Sequence, residues 1–423
     1  MLTFGVFFKS LSQDFHAGRA AISLAFTLHS LTAAVCAPLA GRLIDRFGAR
    51  KIIVRGTAIF GLTLLSAKVL GVGIGYLYLF YMAVGIASGG ATPVPYGVVV
   101  SHWFNRRRGL ALGLMMLGLG VGAIAFPLVA HRVIGVFGWR AAYAAFGCAV
   151  LLVSLPVLAA FLKDDPKEKG LLQDGALPSQ AAAQQRARHE GLTWHETWHS
   201  STFWLMISAF FLSGASVQAC VLHMPALLSD RGASAQDAAI GSSLVGLALV
   251  IGRVGAGYLL DRFFAPRLTT LLFGATSIGI ALLWLGSAGK IALFAALLVG
   301  MGMGAEVDII AYCMSRYFGL KAFGTTYGYV FGAFILAGAV GPLLMGAGFD
   351  LTHSYTVPLG VFFFAMLSAA GLMTRLGPYR YLHTNGKRIP RLQLFRRKAT
   401  PDAQRFGYLR RLRCATRRTR GGS

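Results

Sequence analysis

Between residues 20 and 376 the chain is a succession of apolar runs, each of about 20 residues, parted by short polar or glycine-bearing segments. No other feature restricts the fold so strongly. As a helix rising about 1.5 Å per residue, such a run crosses the roughly 30 Å of hydrocarbon in a bilayer. Lipid offers no hydrogen-bond partners, so each run must satisfy its own backbone, and a helix does this within one segment. Only 13% of residues are charged, against about a quarter in a soluble domain. The expected fold class is an all-α polytopic membrane protein. The 53 glycines fit this reading, because small residues let helix backbones approach closely in lipid.

Complete spans are expected at residues 20–40, 52–72, 75–98, 110–130, 141–162, 203–227, 238–260, 268–285, 291–313, 324–348 and 357–376, eleven complete transmembrane helices in all. Residues 1–8 are apolar but too short to span, and they lack the basic start and cleavage site of a signal peptide. Lys9-Ser10-Leu11-Ser12-Gln13-Asp14-Phe15 follows as an expected polar loop. The start therefore reads as the last third of a truncated first helix. Pro93 and Pro95 should bend the span at 75–98. Gly118 and Gly122, four residues apart, mark a small-residue packing face. The expected division is a helix bundle at 1–162, a polar linker at 163–200, a second bundle at 201–377 and a basic tail at 378–423. The tail holds 14 Lys and Arg against one acid, Asp402. It lacks a sustained apolar period and is expected to be disordered.

Two loops carry the same pattern. Gly41-Arg42-Leu43-Ile44-Asp45-Arg46-Phe47-Gly48-Ala49-Arg50-Lys51 joins the first two complete spans. Gly257-Tyr258-Leu259-Leu260-Asp261-Arg262-Phe263-Phe264-Ala265-Pro266-Arg267 repeats its Gly, Asp, Arg, Phe and Ala at the same offsets half a chain later. This implies two related halves, each a bundle of membrane helices. Asp45 and Asp261 lie among arginines at helix ends, where a carboxylate can pair with those arginines or cap a helix N-terminus. Gly41, Asp45, Arg46, Gly48, Arg50, Asp261 and Arg262 are therefore assigned to a conformational gate that forms and breaks as the halves rock, not to substrate.

The net charge of +25 raises nucleic acid as a partner, but its distribution speaks against it. Most of the 40 Lys and Arg fall in loops that alternate to one side, together with the tail. That asymmetry marks the cytoplasmic side of an inner (plasma) membrane, so the linker and tail are expected in the cytoplasm. There the tail can meet anionic lipid headgroups. Of the five cysteines, Cys36, Cys148, Cys220 and Cys313 lie in apolar runs, and no metal-binding spacing occurs. No cofactor or metal is expected. No nucleophile–base pair or phosphate loop appears either, so the chain does not read as an enzyme.

Arg253 lies eight residues before Asp261, roughly 12 Å inside the membrane. An arginine at that depth is costly and faces a bundle interior or an aqueous cavity. Its guanidinium fork matches a carboxylate, so it is a candidate substrate ligand, with a structural ion pair as the alternative. Glu306 and Asp308 lie at similar depth, measured from Arg316. Two residues apart on a helix, they cannot share a face. One can pair with Arg253, and the surplus acid is a candidate proton carrier; fixed hydrogen bonds to both are the alternative. Tyr96 should sit near mid-depth in the first half, as a ligand contact or a packed core tyrosine. His223 can gate or titrate, or serve structurally. Lys68 reads as a snorkelling side chain at a helix end.

The paired loops closely resemble the loop between the second and third helices of the major facilitator superfamily and its echo between the eighth and ninth. Val6-Phe7-Phe8-Lys9 and Trp103-Phe104-Asn105-Arg106-Arg107-Arg108-Gly109-Leu110-Ala111-Leu112-Gly113-Leu114 look like the monocarboxylate porters of that superfamily. The stretch from Glu306 to Asp308 and Ser315-Arg316-Tyr317-Phe318-Gly319 look like bacterial members, including relatives of the oxalate/formate exchanger. The resemblance covers about residues 1 to 378. It implies a major facilitator fold of two six-helix pseudo-repeats, a central cavity and alternating access. It also implies that Arg253 corresponds to the arginine that binds substrate carboxylate in this group. The sequence departs from the group at Leu249, where mammalian monocarboxylate porters have Asp, and at Phe334, where the oxalate exchanger has Lys. The fifth helix lacks the Gly-Pro and double-Gly pattern of drug/proton antiporters.

The leading expectation is a secondary active transporter of small organic anions, a proton-coupled monocarboxylate symporter. In it Arg253 holds the carboxylate, Tyr96 orients it, and Glu306 or Asp308 carries the proton. The competing expectations are an anion exchanger without proton movement and a non-transporting truncated member.

Overall fold

The computed structural model describes residues 4–71, 73–175, 191–232, 234–287 and 289–381. It is built from helices: α1 (Phe4–Asp14), α2 (Arg19–Phe47), α3 (Ala49–Leu65), α4 (Ile74–Ala87), α5 (Pro93–Trp103), α6 (Arg108–Ala149), α7 (Leu155–Phe161), α8 (Trp194–Trp198), α9 (Ser201–Asp230), α10 (Ala235–Leu260), α11 (Ala265–Trp284), α12 (Gly289–Tyr317), α13 (Phe323–Thr352) and α14 (Thr356–Thr374). Among the described residues the only β pairing is the isolated bridge between Gly191 and Gly319. Ten helical runs there are long and apolar enough to cross a membrane. Large apolar side chains such as Leu152, Leu271, Leu343 and Leu351 are exposed along them, as lipid-facing residues must be.

One of those runs spans 54 residues, from Arg108 to Phe161, and Gly138 divides it with φ 79° and ψ 168°. The two limbs run in opposite directions. Arg140 donates to the carbonyl of Leu70, while Arg50 donates to that of Ala159. A chain going up α3 from Arg50 to Leu70 is thus matched by one coming down from Arg140 to Ala159. A side chain at that φ is strained, and glycine makes the reversal without cost. The expected bend at Pro93 and Pro95 is also a restart. A short 3-10 turn (Ser88–Gly90) ends α4, and Pro93 opens α5. Both prolines sit in its first turn, where the missing N–H has no helical partner to lose.

Three expectations are corrected. Residues 9–14 continue α1 instead of forming a loop. Their polarity hides an apolar face: Phe7, Leu11 and Phe15, four residues apart, are buried in a cluster with Trp139 and Ala142. The segment is pinned by Asp14, whose carboxylate accepts from Trp139 and forms an ion pair with Arg140. Second, α2 runs through Gly41 and Asp45 to Phe47, not to residue 40, and Gly48 with φ 88° makes the turn. Third, the start of the basic tail is packed. Tyr379 is buried, its hydroxyl accepts from the Ala265 N–H, and the Tyr381 N–H donates to the Arg316 carbonyl. The remainder of the expected disordered tail, residues 382–423, lies outside the described residues, as do 176–190 of the linker.

Close backbone approaches are made by glycine at helix crossings. Where α2 meets α13, a Cβ on Gly41 would lie 2.1 Å from the Gly324 carbonyl oxygen. Where α6 meets α10, a Cβ on Gly109 would lie 2.4 Å from the Gly257 oxygen, and one on Gly113 2.9 Å from the Arg253 oxygen. The expected packing face at Gly118 and Gly122 is displaced to Gly109 and Gly113, because Gly118 has nothing within 4 Å. A third close crossing, where a Cβ on Gly304 of α12 would lie 2.2 Å from the Leu249 oxygen of α10, sits beside Arg253.

Candidate functional site

Both copies of the repeated motif lie at one end of the bundle, and each reaches across the sequence to the other part of the chain. The Asp45 carboxylate, near the end of α2, accepts from the Gly324 and Thr325 N–H groups at 2.8 and 2.7 Å and from the Thr325 hydroxyl at 2.6 Å. It thereby caps α13. The Asp261 carboxylate, just past α10, accepts from Gly109 and Leu110 N–H at 2.7 and 2.9 Å and caps α6. Of the alternatives open for these acids, the structure shows helix capping, which places negative charge against the positive helix end. Burial pushes the Asp261 carboxyl above its ordinary range, and the two backbone donors oppose that shift.

The other motif residues are divided. Arg46 and Arg262 lie over the rings of Phe47 and Tyr258, at 5.1 and 4.2 Å from ring centroids. Gly48 makes the α2–α3 turn, and the Arg50 N–H donates to Asp164 at 2.6 Å. Burial raises the Asp164 carboxyl, against the pull of that bond. Contacts that the sequence reading missed complete this end. Arg316 donates to the side-chain and main-chain oxygens of Asn105, both at 2.8 Å, and Arg42 donates to the Tyr329 hydroxyl. Both pairs join residues more than 200 positions apart. The only sequence sign of the first is that Asn105 and Arg316 both stand where a span enters a basic loop.

Deeper in the bundle lies a second polar group. Arg253 on α10 is 3% exposed. Its Nη1 donates to the Met116 carbonyl of α6 at 2.9 Å, and its Nε to the Gly304 carbonyl of α12 at 3.3 Å. The arginine therefore bridges an early and a late helix. Asp308 interacts electrostatically with Arg253, and Tyr327 with both. No ion pair within 4 Å joins Arg253 to Asp308; among the described residues such pairs are Arg140–Asp14 and Lys163–Glu168. Glu306 points elsewhere and lies beside Ser213 of α9. The expected separation of the two acids onto different faces thus matches their surroundings. All four of their carboxyl oxygens are buried without a hydrogen-bond partner.

Tyr96 packs on the core next to Thr57 of α3, and the structure shows no contact from it to Arg253. Its neighbour Gly97 touches the cluster instead: a Cβ there would lie 2.9 Å from the Tyr327 ring. Tyr327, which the sequence reading passed over, is the tyrosine that accompanies Arg253 and Asp308. His223 has both ring nitrogens engaged, with the Tyr355 hydroxyl and the Pro342 carbonyl, each at 3.2 Å, which fits its structural alternative. Lys68 is exposed in the turn after α3. Among the described residues no His, Cys, Asp and Glu cluster could hold a metal ion.

The arrangement is an end closed by capped helices and a buried polar centre with one arginine and two carboxyls. A profile of the Major Facilitator Superfamily matches residues 1–342. The MFS transporter asaE of Aspergillus flavus is 26% identical over 332 residues, covering 75% of this chain and 69% of that protein. Monocarboxylate transporter 13 of Rattus norvegicus is 25% identical over 386 residues, 88% of this chain and 84% of that one. Among solved structures, the proton:xylose symporter XylE superposes with a TM-score of 0.74 at 16% identity, covering 93% of this chain and 95% of that chain.

Proposed function

This chain belongs to the Major Facilitator Superfamily, a transporter and not an enzyme, and from that premise we propose that it moves a small organic monocarboxylate across the membrane together with a proton. The observation that carries the reading is Arg253: a buried guanidinium spanning early and late helices, with carboxyl oxygens nearby that have no partner. A solute carboxylate offers the guanidinium fork stronger, charge-assisted acceptors than the carbonyls of Met116 and Gly304 do. Because one of those carbonyls belongs to α6 and the other to α12, exchanging them for solute changes what holds the two parts of the chain together.

Asp308 is the favoured proton carrier. It shares the surroundings of Arg253 and Tyr327, so its charge is felt where the solute carboxylate sits. Anion and proton bound together leave the net charge of the centre unchanged, which suits a site shielded from water. Glu306, beside Ser213, is the second acid available for the same task, and Tyr96 would orient the solute only after moving toward the centre. The similarity to a monocarboxylate transporter over most of both chains supports the choice of substrate class. In this reading the motif end faces the cytoplasm of a plasma membrane, which the one-sided basic loops support.

The test is uptake of labelled lactate and pyruvate, with a dicarboxylate control, into proteoliposomes under an inward proton gradient, using wild type beside Arg253→Ala and Arg253→Lys. Gradient-driven monocarboxylate uptake, lost in Arg253→Ala and poorly restored by Lys, is the expected result. Uptake only into vesicles preloaded with anion would replace symport by exchange. Uptake unchanged in Arg253→Ala would remove the arginine from the site.

A further inference from the structure

We propose that Asp174 and Trp194, which lie between α7 and α9, are positioning residues of the motif-end closure, Asp174 by holding the α5–α6 loop in the form that receives Arg316. Two of the arginines at the closure, Arg108 and Arg316, are buried, at 2% and 7% exposure. They act on one another as like charges, and Asp174 and Asp261 are the acids that act on Arg108. Two guanidiniums brought together out of water need counter-charge. One acid, Asp261, comes from the repeated motif. The other comes from the connecting segment.

The geometry ties Asp174 to the contact between the two parts of the chain. Its carboxylate accepts from the N–H of Asn105 at 2.5 Å and from that of Arg106. Asn105 in turn offers its side-chain and main-chain oxygens to Arg316. The preceding residue, Gln173, is buried and donates to the Ser101 carbonyl, which also accepts from Arg108. Asp174 thus fixes the backbone of the α5–α6 loop in the form that receives Arg316. It does so at φ 54°, a left-handed conformation that aspartate tolerates better than most side chains.

The far end of the segment meets the other crossing. Leu192 N–H donates to the Phe318 carbonyl, and the Trp194 ring stacks on Tyr329 at 4.3 Å and 15°. Tyr329 is the residue whose hydroxyl accepts from Arg42. One end of the segment therefore supports the Asn105–Arg316 contact and the other supports the Arg42–Tyr329 contact. Each attachment lies within one part of the chain and braces a residue that the other part contacts: Asp174 braces Asn105, which Arg316 reaches, and Trp194 braces Tyr329, which Arg42 reaches.

The inference uses the rocking motion of the proposed transport cycle but not the identity of the solute, so it is tested without substrate. Spin labels on Lys51 and Arg375, exposed residues at this end on α3 and just past α14, report the distance between the two parts of the full chain in liposomes. Asp174→Gly keeps the φ angle accessible and removes only the carboxylate. The expected result is a rise of about tenfold in the ratio of long to short distances, the scale set by two charge-assisted hydrogen bonds. Asp174→Asn, which keeps an acceptor, should shift the ratio less. Trp194→Ala is the second variant, expected to shift it the same way should Asp174→Gly not fold. Distributions identical to the parent in both Asp174→Gly and Trp194→Ala would overturn the proposal. So would a shift in Asp174→Asn equal to that in Asp174→Gly, because the loop would then not depend on the acceptor.

Discussion

The acids at the motif end and the acids in the middle of the bundle are built in opposite ways. Asp45, Asp261 and Asp174 each accept from two backbone N–H groups, and Asp45 from a hydroxyl as well. Glu306 and Asp308 have four buried carboxyl oxygens, none in a well-formed hydrogen bond, and only the Ser213 hydroxyl beside Glu306 offers a donor. Depth alone does not explain this, since Arg253 at the same level finds two carbonyls. Spent hydrogen-bonding capacity makes a contact that holds one conformation. Unspent capacity in a buried place is costly, and it persists where a transient partner, a proton or a solute, meets it during part of a cycle. In the proposed transport cycle, the difference separates residues that hold the shape from residues that handle cargo.

The largest effect that would break this comparison is expected from packing. A Cβ on Gly324 would lie 2.7 Å from both the Gly41 carbonyl oxygen and Asp45 Oδ1. Gly324→Val should force α2 from α13 and cost about 3 kcal/mol in the closed form, about a hundredfold in its population. Uptake assays and the spin-label distances above read this directly. Gly118→Val, with nothing within 4 Å of the new atom, should leave both unchanged. Equal damage from the two would mean that the crossing is not special.

Next is Asp308→Asn, which keeps shape and removes the titrating group. A gradient of one pH unit is worth about 1.4 kcal/mol per proton, about tenfold in accumulation. The variant should lose that tenfold while still exchanging labelled for unlabelled solute across the membrane. Retention of gradient-driven accumulation would move the proton off Asp308. A smaller shift is expected from Asp45→Ala. Losing the cap of α13 should cost about 1 kcal/mol, seen as a lower thermal midpoint and a larger open population. Asp45→Asn, which can still accept, should recover part of it.

The sequence made the class of fold legible because membrane spans are long and the physics of lipid is unforgiving. The repeated motif was legible too, since Gly, Asp and Arg recur at fixed offsets, and Arg253, Glu306 and Asp308 stood out as charges where charges are expensive. What stayed hidden was pairing. Asn105 with Arg316, Asp174 with Asn105 and Arg42 with Tyr329 each join distant stretches, and nothing local in a basic loop names its partner. Tyr327 went unnoticed for a related reason: an uncharged tyrosine in an aromatic span carries no signal until the fold sets it beside Arg253 and against Gly97. Residues 9–14 were misread because a polar composition masked a four-residue apolar spacing.

The smallest effect sharpens the comparison most, because it divides the two middle acids. Glu306 and Asp308 are equally buried, so burial does not distinguish them. Their neighbours do. Asp308 shares its surroundings with Arg253 and Tyr327, while Glu306 faces Ser213 on α9. If function follows the neighbours, Glu306→Gln changes uptake by no more than about twofold, about 0.4 kcal/mol. Its thermal midpoint should stay level or rise, because a neutral amide of the same shape replaces a group that is costly to hold charged away from water. A paired measurement in one preparation, Glu306→Gln beside Asp308→Asn, reads both acids on the same scale. Loss of gradient coupling in the glutamine variant and its retention in the asparagine variant would exchange their roles. Loss in both would mean that the proton passes between them, and that the Ser213 side of α12 belongs to the same site as Arg253.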